Sequence, residues 1–238
     1  MSHNKYFQFK HFRVEQQNAA MKVNTDGVLL GAWINISNAQ TILDIGTGTG
    51  VIALMSAQRS DAEVVGIEID TPASTEAAEN IRNSPWPERI TIVNTSFQLF
   101  AEQAKRQFDV IVSNPPFFSN KVKNANQQLS IARHNHSLPF ADIISGTLSL
   151  LSSTGKLSLI LPADESSVFI NLAAESGLFL CRIARVKPFP DKEPNRFLME
   201  FGRYECDPEE TTFSVYDESK IHYSADFAKL AKEFYLKL

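Results

Sequence analysis

From residue 41 onward, short apolar runs alternate with segments of helical period. The runs at 41–46 (TILDIG), 62–70 (AEVVGIEID), 89–94 (RITIVN), 108–113 (FDVIVS) and 156–162 (KLSLILP) are rich in Val, Ile and Leu and end in turn-forming residues. They read as buried strands. The segments 51–60, 71–84, 97–105, 138–151 and 164–176 read as helices between and after them. At the second, Thr71 is a plausible N-cap with Pro72 at the first helical position. Two long strands, 179–189 and 196–205, then follow each other across a loop containing Pro, Asp and Asn, which predicts an antiparallel hairpin at the sheet edge. The last segment, SADFAKLAKEFYLKL, places Phe227, Leu230, Ala231 and Phe234 on one helical face. This order predicts an α/β fold, a mostly parallel sheet with helices on both faces. In such open sheets, ligands sit at the carboxyl ends of the strands near the point where strand order reverses.

Composition adds bounds. The 238 residues are 43% hydrophobic and 21% charged, and the net charge of −4 excludes a general polycation made for phosphate backbones. The charge is unevenly spread. From Val110 to Ala141 there is no acid, while Lys121, Lys123 and Arg133 lie inside; the first 22 residues carry Lys5, Lys10, Arg13 and Lys22 against Glu15 alone. Acid gathers at Asp207, Glu209, Glu210, Asp217 and Glu218. Two cysteines without metal-ligand spacing argue against a disulfide framework or a zinc site, so no metal is expected. No apolar run approaches ~18 residues and no secretory h-region opens the chain, so a cytoplasmic protein is expected.

The first strand runs into LDIGTGTGVIAL. Gly46, Gly48 and Gly50 allow a tight turn and a close approach of ligand to backbone. The GxGxxG dinucleotide pattern is not met, because Val51 holds its last position. Asp44 stands before the loop instead, which suits a ligand carrying an ammonium group better than a pyrophosphate. The second strand ends in GIEID, placing Glu68 to accept from both hydroxyls of a ribose. With these motifs the chain resembles the class I S-adenosylmethionine-dependent methyltransferases, LDIGTGTG matching their motif I and GIEID their ribose-binding motif. The resemblance implies a Rossmann-like methyltransferase fold with a seven-stranded sheet. It also implies S-adenosyl-L-methionine as cofactor and S-adenosyl-L-homocysteine as product. Many relatives place an Asp at the third strand end against the cofactor adenine; here VNTSFQLF makes Ser96 the candidate.

The fourth strand ends in SNPPFF. An exocyclic amino nitrogen on a base is a poor nucleophile, because its lone pair is delocalised into the ring. The side-chain carbonyl of Asn114 and the backbone carbonyl of Pro115 can accept its two N–H bonds and localise the lone pair. Pro115 and Pro116 fix the backbone and remove competing donors. Phe117 offers a face for a flipped-out base, worth roughly 1–3 kcal/mol per base, while Phe118 reads equally as packing. NPPF so placed resembles the [D/N/S]-P-P-[Y/F] motif of amino-group methyltransferases, whose acceptors are adenine N6, guanine N2 or glutamine N5.

The segment FQFKHFRVEQQNAAMKVNTDGVLLGAWI, with ARHNHSLPF, PNRFLMEF and YSADFAKLAKEFYLKL, is similar over essentially the whole chain to the bacterial tRNA(Val) adenine-37 N6-methyltransferase family. That similarity implies an anticodon-arm substrate and a cofactor role for the Lys22–Asp26 stretch, whose Thr25 and Asp26 could cap a helix beside the methionine tail. The plain alternative for NTDG is a helix N-cap alone. Lys121, Lys123, Arg133 and His134 are the candidate RNA contacts, in an Asn/Gln-rich stretch that reads as a flap. We expect one methyltransferase domain over 1–238, with 1–40 covering the cofactor and substrate and 41–238 catalytic, acting as a monomer. Guanine N2 in ribosomal RNA, glutamine in a release factor, and a non-catalytic cofactor-binding RNA chaperone remain the competing readings.

Overall fold

The computed structural model describes residues 4–116 and 138–238. The predicted Phe117 stacking face and the predicted RNA contacts Lys121, Lys123, Arg133 and His134 therefore lie outside the described residues.

The main sheet is built from β3 (Thr41–Ile45), β4 (Glu63–Glu68), β5 (Ile90–Asn94), β6 (Phe108–Ser113), β7 (Leu151–Pro162), β8 (Phe179–Lys187), β9 (Arg196–Gly202) and β10 (Glu209–Ser214). Its order is β10-β8-β9-β7-β6-β3-β4-β5, and every neighbouring pair is parallel except those involving β9. This is the predicted α/β architecture with its antiparallel hairpin. It carries one strand more than the seven expected, so the hairpin lies one strand in from the edge. The extra strand, β10, is an acidic stretch, mostly exposed, whose Glu210 pairs in fork geometry with Arg185 of β8 at 2.7 and 3.3 Å. Its charge suits an edge position and hides the period of a strand.

Helices cover both faces. The helices α1 (Thr25–Trp33), α2 (Val51–Arg59), α3 (Thr71–Arg82) and α7 (Ala225–Ala231) share one apolar cluster with Ile42, Val110, Val112 and Leu198. On the other face, α4 (Phe97–Gln103), α5 (Phe140–Leu150) and α6 (Ala163–Glu175) pack over Leu43, Ile45, Ile111, Leu159 and Phe201. Alternate residues of β3 and β6 therefore go to opposite cores, which explains why these strands are apolar without interruption. Burying Val110, Ile111 and Val112 contributes roughly 1.5–3 kcal/mol each. The strand that ends at Asn114 is thus anchored along its length.

The N-terminal segment joins this first cluster through Phe9, Phe12 and Val14, with Phe12 edge-on to Trp86, and forms a small antiparallel hairpin, β1 (Tyr6–Gln8) with β2 (Arg13–Glu15). The predicted C-terminal helix is shorter than its pattern. Beyond α7 the carbonyls of Lys232, Glu233 and Phe234 accept from Lys10 Nζ, Gln58 Nε2 and the Lys10 amide. These tertiary bonds replace the helical ladder, while Phe227, Ala231 and Phe234 stay buried as expected. The cap of α3 is Asp70 rather than Thr71: its side chain accepts from the Ala73 amide at 3.1 Å.

Candidate active site

The sheet order reverses at β3, which lies between β4 and β6. Asp44, Gly46, Glu68 and Asn114 all stand at the carboxyl ends of these three strands, so the switch point gathers the residues that the sequence singled out.

The loop after β3 turns through three left-handed glycines, Gly46, Gly48 and Gly50, at φ of 68°, 56° and 82°. Among the described residues, a Cβ on Gly46 would meet nothing within 4 Å, and one on Gly48 only the Gly46 carbonyl at 4.0 Å. The backbone is therefore open to a ligand on that side. Gly50, in the left-handed conformation, serves as N-cap of α2.

Asp44 is 1% exposed. Its Oδ2 accepts from Thr47 Oγ1 at 2.6 Å, while Oδ1 is buried and, among the described residues, has no partner of normal hydrogen-bond geometry. Burial pushes its pKa up from 3.8 to about 7; the Thr47 hydroxyl and the Ala53 amide of α2 oppose that shift, and the Glu68 charge adds to it. A buried carboxylate with an open oxygen is suited to a cationic hydrogen-bond donor, which would restore its ionised form.

Glu68 clamps the loop. Its Oε2 accepts from the Gly48 amide and its Oε1 from the Asp70 amide, both at 2.9 Å. Each oxygen keeps lone-pair capacity for a hydroxyl donor. Ile69, next in the chain, is 50% exposed and presents an apolar side chain at the same strand end.

Asn114 follows Ser113, whose hydroxyl donates to the Ile45 carbonyl at 3.0 Å. That bond ties the end of β6 to the start of the glycine loop. The Asn114 Oδ1 is buried and has no hydrogen-bond partner among the described residues. Pro115 is buried and Pro116 exposed. Across from them stands Gly27 in α1, where an added Cβ would lie 3.8 Å from Asn114 Nδ2.

The remaining predicted residues have other local duties. Asn24, not Thr25 or Asp26, caps α1, its Oδ1 accepting from the Gly27 amide at 2.9 Å. Asp26 instead forms an ion pair with Arg196 Nε of β9 at 2.9 Å. Ser96 caps α4 by accepting from the Leu99 amide at 3.2 Å, so an adenine contact would share that oxygen. Sequence reasoning missed Thr47, Ser113 and Arg196, whose partners become visible only on folding.

It also missed Gly66, opposite Asp44 in the β3–β4 register. A Cβ there would stand 2.8 Å from Ile92 Cδ1 and 3.0 Å from Thr47 Oγ1. Gly66→Ala is expected to push Thr47 off Asp44, at a stability cost of about 1–3 kcal/mol. Cofactor titration should show weaker binding by about tenfold, and thermal melting a lower midpoint.

Residues 20–161 match the methyltransferase small domain family. Among named relatives, a tRNA1(Val) (adenine(37)-N6)-methyltransferase of Trichodesmium erythraeum is 42% identical over 97% of this chain and 98% of its own length. One of Pseudoalteromonas translucida is 44% identical over 98% and 99%. Among solved structures, a protein described as a predicted O-methyltransferase from Agrobacterium tumefaciens superposes with TM-score 0.67 at 20% identity, covering 88% of this chain and 96% of that one. A methyltransferase from Pyrococcus furiosus gives 0.54 at 20% identity over 79% and 90%. These two likenesses concern the fold. With the glycine loop, the two strand-end acids and Asn114-Pro115-Pro116 at one switch point, the chain belongs to the methyltransferase small domain family, among relatives that bear the name tRNA1(Val) (adenine(37)-N6)-methyltransferase.

Proposed function

We propose that the protein transfers a methyl group from S-adenosylmethionine to the exocyclic N6 of an adenine in tRNA, at position 37 of the valine isoacceptor that its relatives' names specify. The observation that carries this reading is the buried Oδ1 of Asn114 at the switch point, which has no partner among the described residues. A buried acceptor without a donor costs about 1–3 kcal/mol, and an amino group of a base supplies the missing donor.

When bound, S-adenosylmethionine supplies a methyl group made electrophilic by its sulfonium sulfur. The open face of Gly46 and Gly48, the free oxygen of Asp44 and the spare lone pairs of Glu68 fit the backbone approach, ammonium and ribose of that molecule. Asn114 and the Pro115 carbonyl would accept the two amino N–H bonds, turning the nitrogen lone pair out of the ring. Anchorage by Ser113 keeps that geometry fixed before the substrate arrives, so little reorganisation is left for the reaction. Phe117 would stack the base. Lys121, Lys123, Arg133 and His134 would take phosphates of the anticodon arm. Thr25, Asp26 and Ser96 would border the cofactor.

The test is transfer of label from S-adenosylmethionine to total tRNA from cells lacking this protein, followed by nucleoside analysis. Labelled N6-methyladenosine is expected. Label in N2-methylguanosine, or in protein glutamine when release factors are supplied, would move the same chemistry to another acceptor.

A further inference from the structure

We propose that the N-terminal hairpin β1–β2 is an RNA-docking arm that receives the phosphate backbone of the substrate; this rests on the tRNA reading above. An acidic protein of net charge −4 repels RNA as a whole, so binding needs a surface where cations are concentrated. The first 22 residues hold four Lys or Arg against one acid. Lys5 and Arg13 stand exposed on the hairpin, with His11 exposed in its turn. The Arg13 guanidinium lies 3.6 Å from the centre of the Tyr6 ring, which is itself 46% exposed. Stacking presets the plane of a group suited to grip phosphate by two N–H bonds. The single acid, Glu15, pairs with Arg13 at 2.7 Å, but both side chains are open to water, so the pair is weak and a phosphate can replace it. Lys10 is already engaged, its ammonium donating to the Lys232 carbonyl.

The arm is rigidly joined to the site. Buried Asn80 of α3 accepts from the Glu15 amide at 2.8 Å and donates to both the Glu15 carbonyl and the Thr49 carbonyl at 2.9 Å. Thr49 lies between Gly48 and Gly50, so one side chain links the hairpin to the cofactor loop. Buried Glu76 accepts from three successive amides, Gln17, Asn18 and Ala19, at 2.7 to 3.1 Å. Gln16 then holds the Val23 amide at 2.9 Å, and the chain enters the α1 cap beside Asn114. RNA held on the hairpin is thereby placed in a fixed relation to the base acceptor.

The test is filter binding of tRNA at several salt concentrations, comparing the wild-type protein with the double variant Lys5→Gln, Arg13→Gln. Binding about tenfold weaker at moderate salt is expected. The slope of log affinity against log salt should fall by about 1–2, one unit or somewhat less for each phosphate that the variant no longer neutralises. Unchanged affinity and slope would overturn the proposal. Cofactor affinity, read in parallel, should stay within twofold because the Asn80 link is untouched. Should the double variant misfold, Lys5→Gln alone decides, a fall in slope of about 1 supporting the arm and no fall overturning it. Nucleoside analysis of the same tRNA keeps the two readings apart: a salt-sensitive arm without N6-methyladenosine would uphold the docking surface while removing the proposed reaction.

Discussion

Asn114→Ala is expected to lower turnover about 10²–10³-fold while leaving cofactor affinity within a few-fold. The magnitude is that of removing one preorganised hydrogen-bonding group from a reacting centre. Cofactor affinity is kept because the partners of Asp44 and Glu68 come from the β3 and β4 connections, not from the Asn114 side chain. The variant also has an unusual stability signature. In the wild-type protein Oδ1 is buried without a partner among the described residues, so its removal ends a standing penalty that offsets the lost packing. Thermal melting should therefore show little or no loss. A large fall in cofactor affinity or in melting temperature would instead make Asn114 part of the cofactor pocket or the core.

Asp44→Asn should separate stability from binding in the opposite way. The folded protein holds the Asp44 proton up to about pH 7, whereas the unfolded chain releases it near 3.8. Between those values the folded state binds more protons, so this carboxyl makes stability fall as pH rises from about 4 to 7, and the loss persists above 7. The asparagine carries no charge at any pH. At pH 8 it should be more stable than the wild type by on the order of 2 kcal/mol, because the wild-type carboxyl is then ionised while buried. Its affinity for S-adenosylmethionine should fall about 10–100-fold through loss of a charge-assisted bond. Wild-type affinity should weaken by about tenfold for each pH unit below 7, and that slope should vanish in the variant. A destabilised variant with intact cofactor binding would assign Asp44 a purely structural role.

The parts of this site visible in the sequence are those fixed by the local chain. Apolar runs mark β3 and β6, because strands buried on both faces tolerate no polar alternation. The spacing of Gly46, Gly48 and Gly50 predicts a turn, and each takes the left-handed conformation such a turn needs. Helix starts were legible only to within a residue or two. In NTDG and DTP several neighbours can cap, and backbone geometry selects Asn24 and Asp70. What remained hidden depends on distant partners. Arg196 neutralises Asp26 from a strand 170 positions away, and the Thr47 hydroxyl reaches Asp44 only because Gly66 leaves room for it. The strand β10 escaped notice because acids that pair with Arg185 look, in isolation, like a solvated loop.

The measurement that tests the central claim most directly compares two valine tRNA transcripts, one with adenosine and one with guanosine at nucleotide 37, under labelled S-adenosylmethionine. The proposed transfer to adenine N6 predicts N6-methyladenosine on the first transcript and no label on the second. Equal labelling of both, or N2-methylguanosine on the second, would contradict an adenine amino group at nucleotide 37 as the methyl acceptor.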